Sequence, residues 1–427
     1  MNAAIIFILL LTLMLTGMPI SISLGLTVLS FLFMFTQVPL ESVALKLFTG
    51  IEKFEIMAIP FFILAGNFLT HGGVARRMIN FASAMVGHWY GGLGLAGVLA
   101  CALFAAVSGS SPATVVAIGS ILLPAMVKAG FPNKFGAGVI TTSGALGILI
   151  PPSIVMVMYS VATNTSVGAL FMAGVIPGFA LACVLGGVTW YRAKKYDYPR
   201  LPKATLGERW KSFRESVWGL LLIVVVMGGI YTGMFTPTEA AAMSAVYAFF
   251  VAVFIYKDMG LKDVPKVLLN SANMSAMLLY IITNAVLFSF IMTNENIPQA
   301  LADWMLGHGL GVIAFLLACN IILLLAGNFM EPSSIVLIFA PILFPVAIKL
   351  GIDPVHFGII MVVNMEVGMC HPPVGLNLYV ASGITKMGIT ELTVAVWPWL
   401  LSMLGFLMVV TYVPTLSTWL PRTLGMM

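Results

Sequence analysis

The sequence predicts an all-α integral membrane protein of two inverted repeats, each with five spans and one re-entrant helical hairpin. Three observations carry this. The 427 residues are 60% hydrophobic and only 8% charged, with a mean hydropathy of +1.07. No soluble domain of that length buries so much apolar surface. A proline and glycine pattern recurs 221 residues apart. Pro124, Lys128, Gly130, Gly147, Pro151, Pro152 and Pro177 return as Pro345, Lys349, Gly351, Gly368, Pro372, Pro373 and Pro398. Finally, lysines and arginines gather in alternate loops.

The first half reads as spans over 3–19, 20–36, 56–70, 136–162 and 168–191. The second reads as spans over 218–235, 240–256, 272–292, 357–383 and 392–413. Each is near the 17–25 residues a crossing needs, allowing for tilt. The apolar run at 2–15 lacks a basic leader and a small-residue cleavage site, so it reads as the first span rather than a removed signal. Residues 94–128 and 311–349 differ, because each carries a polar Gly/Pro turn at its middle. An arm of about 15 residues gives roughly 23 Å of helix, short of a comfortable crossing, so both read as hairpins with tips inside the protein. Segments 40–55 and 262–273 precede matching spans and read as interfacial helices. They fit mechanical arms and plain surface connections equally well.

An odd number of crossings per half makes the second copy face the opposite way. The domains are then 1–200, a basic linker at 201–217, and 218–427. With the N-terminus outside, 16 of the 20 Lys and Arg residues fall inside, eight of them between Arg192 and Arg214. Lys46, Lys53, Lys349 and Arg422 remain outside. The positive-inside rule favours this orientation, with both termini outside.

Candidate chemistry sits at the hairpin tips and at the paired double prolines. Ser108, Gly109, Ser110, Ser111 and Pro112 form a hydroxyl-rich turn. Ser111 is expected to cap a helix that begins at Pro112. The preceding helix end leaves carbonyls free for a hard cation, and the new N-terminus suits an anion. Gly327, Asn328, Glu331, Pro332 and Ser333 repeat the arrangement. Glu331 reads either as an N-cap or as a functional intramembrane carboxylate. Pro151-Pro152 and Pro372-Pro373 break two spans and free carbonyls upstream, which is tolerable only against protein or a wet cavity. Paired breaks of this kind mark a midplane binding site in secondary transporters.

Around those breaks lie Thr142, Gly147, Ile150 and Ser153 in the first copy. Glu366, Gly368, Cys370, His371 and Asn377 flank the second. Glu366 reads as a pairing or protonating group, or as a buried structural hydrogen bond. Ser153 and Asn377 sit at near-equivalent places and suit substrate contact. Asn67 lies on a small-residue face fit for close packing and is a weaker pocket candidate. Thr236-Pro237-Thr238-Glu239 is a capping box. The four cysteines show no metal or redox spacing and read as core residues. No nucleotide loop, hydrolase elbow or zinc-protease motif is present, so ATP is not expected as a driver, nor nucleic acid as a partner. A channel would show similar hairpins. An intramembrane enzyme would have to rely on Ser110 with His371, and nothing in the sequence orients that pair.

At these residues the chain resembles the large membrane subunit (M/DctM type) of tripartite ATP-independent periplasmic (TRAP) transporters, within the ion transporter superfamily. The resemblance rests on the runs 60–67, 108–114, 144–152, 235–240, 327–334 and 372–377, and covers essentially the whole length. It implies elevator-type scaffold and transport domains, and Na⁺-coupled import of an organic acid. C4-dicarboxylates, sialic acid and other sugar acids are all compatible. The implied setting is a bacterial inner membrane with periplasmic termini. The implied partners are a small four-helix membrane subunit and a periplasmic substrate-binding protein. Two or more Na⁺ ions are expected where a hairpin tip meets a broken helix. The first site takes Ser108, Ser111, Gly147 and Ile150. The second takes Gly327, Ser333, Gly368 and Cys370. Ser110, Thr142, Ser153, Asn328 and Asn377 are expected to line the substrate pocket. No Arg or Lys is expected at midplane, so helix N-termini, hydroxyls and Na⁺ hold the carboxylate.

Overall fold

The computed structural model describes residues 2–36, 38–372 and 375–427, so Pro373 of the second double proline lies outside the described residues. Among these, the regular structure is helical throughout. Helices α1 (Asn2–Leu15) and α2 (Ile20–Phe35) form an antiparallel pair, followed by the amphipathic α3 (Leu40–Thr49). A 3₁₀ turn leads into α4 (Ala58–His71), then α5 (Val74–Val86). The first hairpin is α6 (Gly92–Ser108) and α7 (Ser111–Lys128). The first broken span is α8 (Asn133–Gly144), a 3₁₀ turn over Ala145–Ile148, and α9 (Ile154–Thr163). Helix α10 (Val167–Lys195) closes this half.

The second half begins with α11 (Leu206–Tyr231), α12 (Pro237–Phe250) and α13 (Val264–Asn294). After α14 (Ile297–Gly307) come the second hairpin, α15 (Val312–Gly327) and α16 (Pro332–Lys349), and the second broken span, α17 (Pro354–Cys370) and α18 (Leu376–Thr385). Helices α19 (Ile389–Tyr412) and α20 (Thr415–Thr423) follow. Eight helical segments of the described residues are long and apolar enough to cross a membrane.

Several expectations are corrected. Residues 74–86, between the expected spans, form α5, whose Arg76 and Arg77 lie opposite a buried face of Val74, Ala75, Met78, Ile79 and Ala82. Helices α14 and α20 were likewise not anticipated. Residues 262–273 do not form a separate surface helix: from Val264 they belong to the 31-residue α13, since no Gly or Pro breaks the run after Pro265. Most of the supposed linker is helical, since α11 takes it over from Leu206. A capping box opens α11 at Thr205, whose backbone N–H and hydroxyl both donate to Glu208 at 2.7 and 2.9 Å. The expected box at Thr236 and Glu239 opens α12 in the same way. The hairpin arms run to 16–18 residues, longer than about 15.

One large apolar core joins both hairpins, both broken spans and α4, α10, α12 and α19. A smaller core packs α1 and α2 against α13, with Ile338 and Ile342 of α16 at its edge. Ion pairs agree with the charge-based topology. Arg76 and Arg77 bind Asp258, and Lys134 binds Glu391 at 3.3 Å, among residues assigned to one side. Lys349–Asp303 and Arg422–Asp353 join residues assigned to the other.

Candidate substrate cavity and cation sites

Both hairpin tips open onto one cavity of about 220 Å³. Its polar wall is Ser108, Ser110, Ser111, Ser333, Glu331 and Asn67; its apolar wall includes Met274, Met277 and Leu278 of α13. The first turns of four helices reach it: Ser111 and Pro112 of α7, Ile154 of α9, Pro332 and Ser333 of α16, and Leu376 of α18. Each N-terminus carries about half a positive charge on its unpaired amides. No Lys or Arg is among the lining residues described, and Glu331 is their one carboxylate.

The hairpins meet the broken spans at glycines related by the repeat. A Cβ on Gly147 would lie 2.5 Å from the Ser110 carbonyl oxygen and 2.7 Å from Ser111 Cα. A Cβ on Gly368 would lie 2.9 Å from Gly327 Cα. Only glycine permits these approaches. Gly109, at φ +60°, turns the first tip, where a Cβ would meet the Pro152 carbonyl oxygen at 2.9 Å. Each expected cation site thus has a hairpin carbonyl against a helix break, a cradle that any side chain would fill.

At the first tip, Ser108 and Thr114 hydroxyls lie 2.9 Å apart, and Thr114 donates to the Ser110 carbonyl at 2.8 Å. The helix starts one residue earlier than expected. Ser110 holds the N-cap position without a side-chain cap bond, and Ser111 is already helical. The Ser111 hydroxyl therefore does not cap α7. It donates to the Gly144 carbonyl at 2.9 Å and accepts from Asn377 Nδ2 at 2.7 Å. Asn377 Oδ1 is left buried with no partner among the described residues. A spare oxygen beside two hydroxyl and carbonyl donors fits a hard cation such as Na⁺.

At the second tip, Glu331 is N-cap by position but makes no cap bond; its Oε1 accepts from Ser334 at 3.4 Å. Asn328 is buried away from the cavity, its side-chain amide 2.9 Å from His371 Nδ1 and turned so that it reaches the Pro372 carbonyl at 3.0 Å. Cys370 turns its thiol toward the first repeat, 3.5 Å from the Thr141 carbonyl.

Of the expected pocket residues, Ser110 lines the cavity. Asn377 reaches it indirectly, through Ser111. Thr142 is buried in α8 and donates to the Gly138 carbonyl at 2.8 Å. Ser153 caps α9, accepting from the Met156 amide at 3.4 Å and donating to the Ile148 carbonyl at 2.6 Å. Both are satisfied locally, and neither lines this cavity. Ile150 packs against Gly178 rather than lining the cavity. The α13 wall was missed because methionines and leucines carry no sign of a site. Asn67, rated only as a packing residue with pocket potential, does line the cavity and donates to Ser271 of α13 at 2.8 Å. Glu366 is fully buried, beside the backbone of Leu149 in the first broken span.

Broken spans and paired hairpin tips around one cavity are the arrangement of a membrane permease. The model of the tripartite ATP-independent periplasmic transporter DctM component matches residues 7–416. The chain belongs to that family. It is 76% identical over the full length of both chains to the C4-dicarboxylate TRAP transporter large permease protein DctM of Rhodobacter capsulatus. It is 36% identical to the sialic acid TRAP transporter large permease protein SiaM of Vibrio cholerae, covering 96% of each chain. In fold it is similar to the YdaH transporter of Alcanivorax borkumensis, at TM-score 0.61 and 14% identity over 87% of this chain and 88% of that one.

Proposed function

We propose that this chain is the Na⁺-coupled permease for a small dicarboxylate of the C4 class in a bacterial inner membrane. The observation that carries the reading is the convergence of four helix N-termini on one cavity with no lysine or arginine in its wall. Such amides attract carboxylates without a fixed counter-charge. Helix dipoles attract the acid but carry no net charge, so the substrate's net charge is balanced when cations arrive with it, which couples acid to Na⁺. The cavity's 220 Å³ lies below the roughly 300–1,000 Å³ of drug-sized sites. That size favours a four-carbon acid over a nine-carbon sugar acid, in keeping with the Rhodobacter relative's name.

In this reading Na⁺ binds beside Ser108, Ser111, Gly147 and Ile150, and beside Gly327, Ser333, Gly368 and Cys370, chiefly through backbone carbonyls. The halves 1–200 and 218–427 are inverted copies with periplasmic termini. Hairpins and broken spans move as an elevator body against a scaffold that includes α1, α2 and α13. A small four-helix membrane subunit completes the scaffold, and a periplasmic binding protein delivers substrate. Proteoliposome uptake tests the substrate class. Labelled succinate should enter only with the cognate binding protein present, and fumarate or malate should compete. Competition by sialic acid but not by malate would overturn the assignment.

A further inference from the structure

Outside the transport cavity, a second concavity runs along the membrane face between α6 and α10. It holds about 440 Å³ and is lined by Leu95, Leu99 and Ala102 of α6 and Phe179, Cys183 and Gly187 of α10. At its mouth it joins a shallower space of about 470 Å³ walled by His88, Trp89, Tyr90, Trp190 and Arg200; Trp89 and Trp190 belong to both.

Two features separate this groove from ordinary lipid-facing surface. Gly186 and Gly187 sit side by side inside the 29-residue α10, where each costs helix stability relative to alanine. Close helix packing does not explain Gly187: a Cβ there would meet nothing within 4 Å. The missing side chains leave the groove open. The rim also carries unbalanced positive charge. The Arg200 guanidinium stacks 3.9 Å from the Tyr90 ring centroid, and Lys194 Nζ lies 5.1 Å from that of Trp190. Among the described residues neither pairs with a carboxylate. Aromatic rings fix both cations at the level of the basic segment 192–214, where lipid headgroups lie.

We propose that this groove is a binding site for an anionic phospholipid, with one acyl chain along Gly187 and Cys183 and the phosphate on Arg200 and Lys194. The apolar trough and cationic rim complement that ligand in both shape and charge.

Cys183 reports on occupancy, because it is exposed in the groove while Cys101, Cys319 and Cys370 are buried. The experiment measures N-ethylmaleimide alkylation of Cys183 in the purified full-length protein, in micelles doped with phosphatidylglycerol or phosphatidylcholine. Phosphatidylglycerol should slow the reaction roughly thirtyfold more than phosphatidylcholine, the contribution of two basic residues at an anionic headgroup. The double variant Arg200→Gln, Lys194→Gln should abolish that difference. Gly187→Leu, whose side chain enters open space, should lose phosphatidylglycerol retention in native mass spectrometry without a lower melting temperature. Equal protection by both lipids would overturn the proposal, as would a preference surviving in the double variant. Equal protection by glycerol phosphate would place the site with a soluble anion instead.

Discussion

The side-chain amide of Asn377 donates to the Ser111 hydroxyl at 2.7 Å, tying the restart of the second broken span to the tip of the first hairpin across 266 residues of sequence. The repeats therefore share one polar centre, so the cation proposed at the first tip would be felt by a residue of the second half. Removing one such bond costs about 1 kcal/mol, a roughly fivefold change in affinity. Asn377→Ala and Ser111→Ala should each weaken apparent Na⁺ affinity by about that factor, and together by less than the product, as coupled groups do. Sodium titrations of uptake and of thermal stability check this. Unchanged sodium curves with lowered melting temperatures would reduce both residues to hairpin packing.

The glycines where the broken spans meet the two hairpin tips make a sharper prediction. Gly147→Ala forces a Cβ against the Ser110 backbone, and Gly368→Ala forces one against Gly327 Cα. Overpacking of this kind costs about 1–3 kcal/mol, and here it also closes the cation cradles. Each variant should lose at least about tenfold in transport and melt at lower temperature. Gly228→Ala, where a Cβ meets nothing within 4 Å, should transport normally and gain up to about 1 kcal/mol from helix propensity. Parallel melting and uptake assays on the three variants decide it.

Glu366 gives a third. Its carboxyl is fully buried, and a buried intramembrane acid is an expensive arrangement unless it serves transport. Glu366→Gln keeps the volume and removes the acid. Uptake should fall by an order of magnitude or more, with a melting temperature within about 2 °C of wild type. Full activity of the variant would make Glu366 a tolerated core residue.

Much of this architecture was legible because its signals are chemical punctuation. Proline pairs, polar hairpin turns and basic loops stand out against an apolar background, so Ser108, Ser110, Ser111 and Ser333 were found together from sequence, and the structure brings them to one cavity. What stayed hidden was apolar or cooperative. Met274 and Met277 line the cavity yet look like any core methionine. Ser153 and Thr142 looked like ligands because hydroxyls near a break satisfy local carbonyls as readily as a substrate. Ser111 was misread as a cap because cap position shifts by a residue with the local turn, while its real partner, Asn377, lies in the other repeat.

The orientation proposed from loop charge can be checked directly. With Cys183, the exposed native thiol among the described residues, replaced by serine, cysteines are placed singly at Lys203 and Asn296. An impermeant maleimide applied to intact cells should label position 296 and spare position 203. The reverse pattern would invert the assigned orientation.

The central claim is that cations entering with the acid supply the charge the cavity wall lacks. Its most direct test is uptake of labelled succinate into proteoliposomes that hold the permease and its membrane partner, with binding protein outside and no nucleotide. An inward Na⁺ gradient should drive accumulation, with a sigmoidal dependence on external Na⁺ from two or more ions per substrate, and replacing Na⁺ by K⁺ on both sides should abolish it. Accumulation that persists in K⁺ alone would contradict the account.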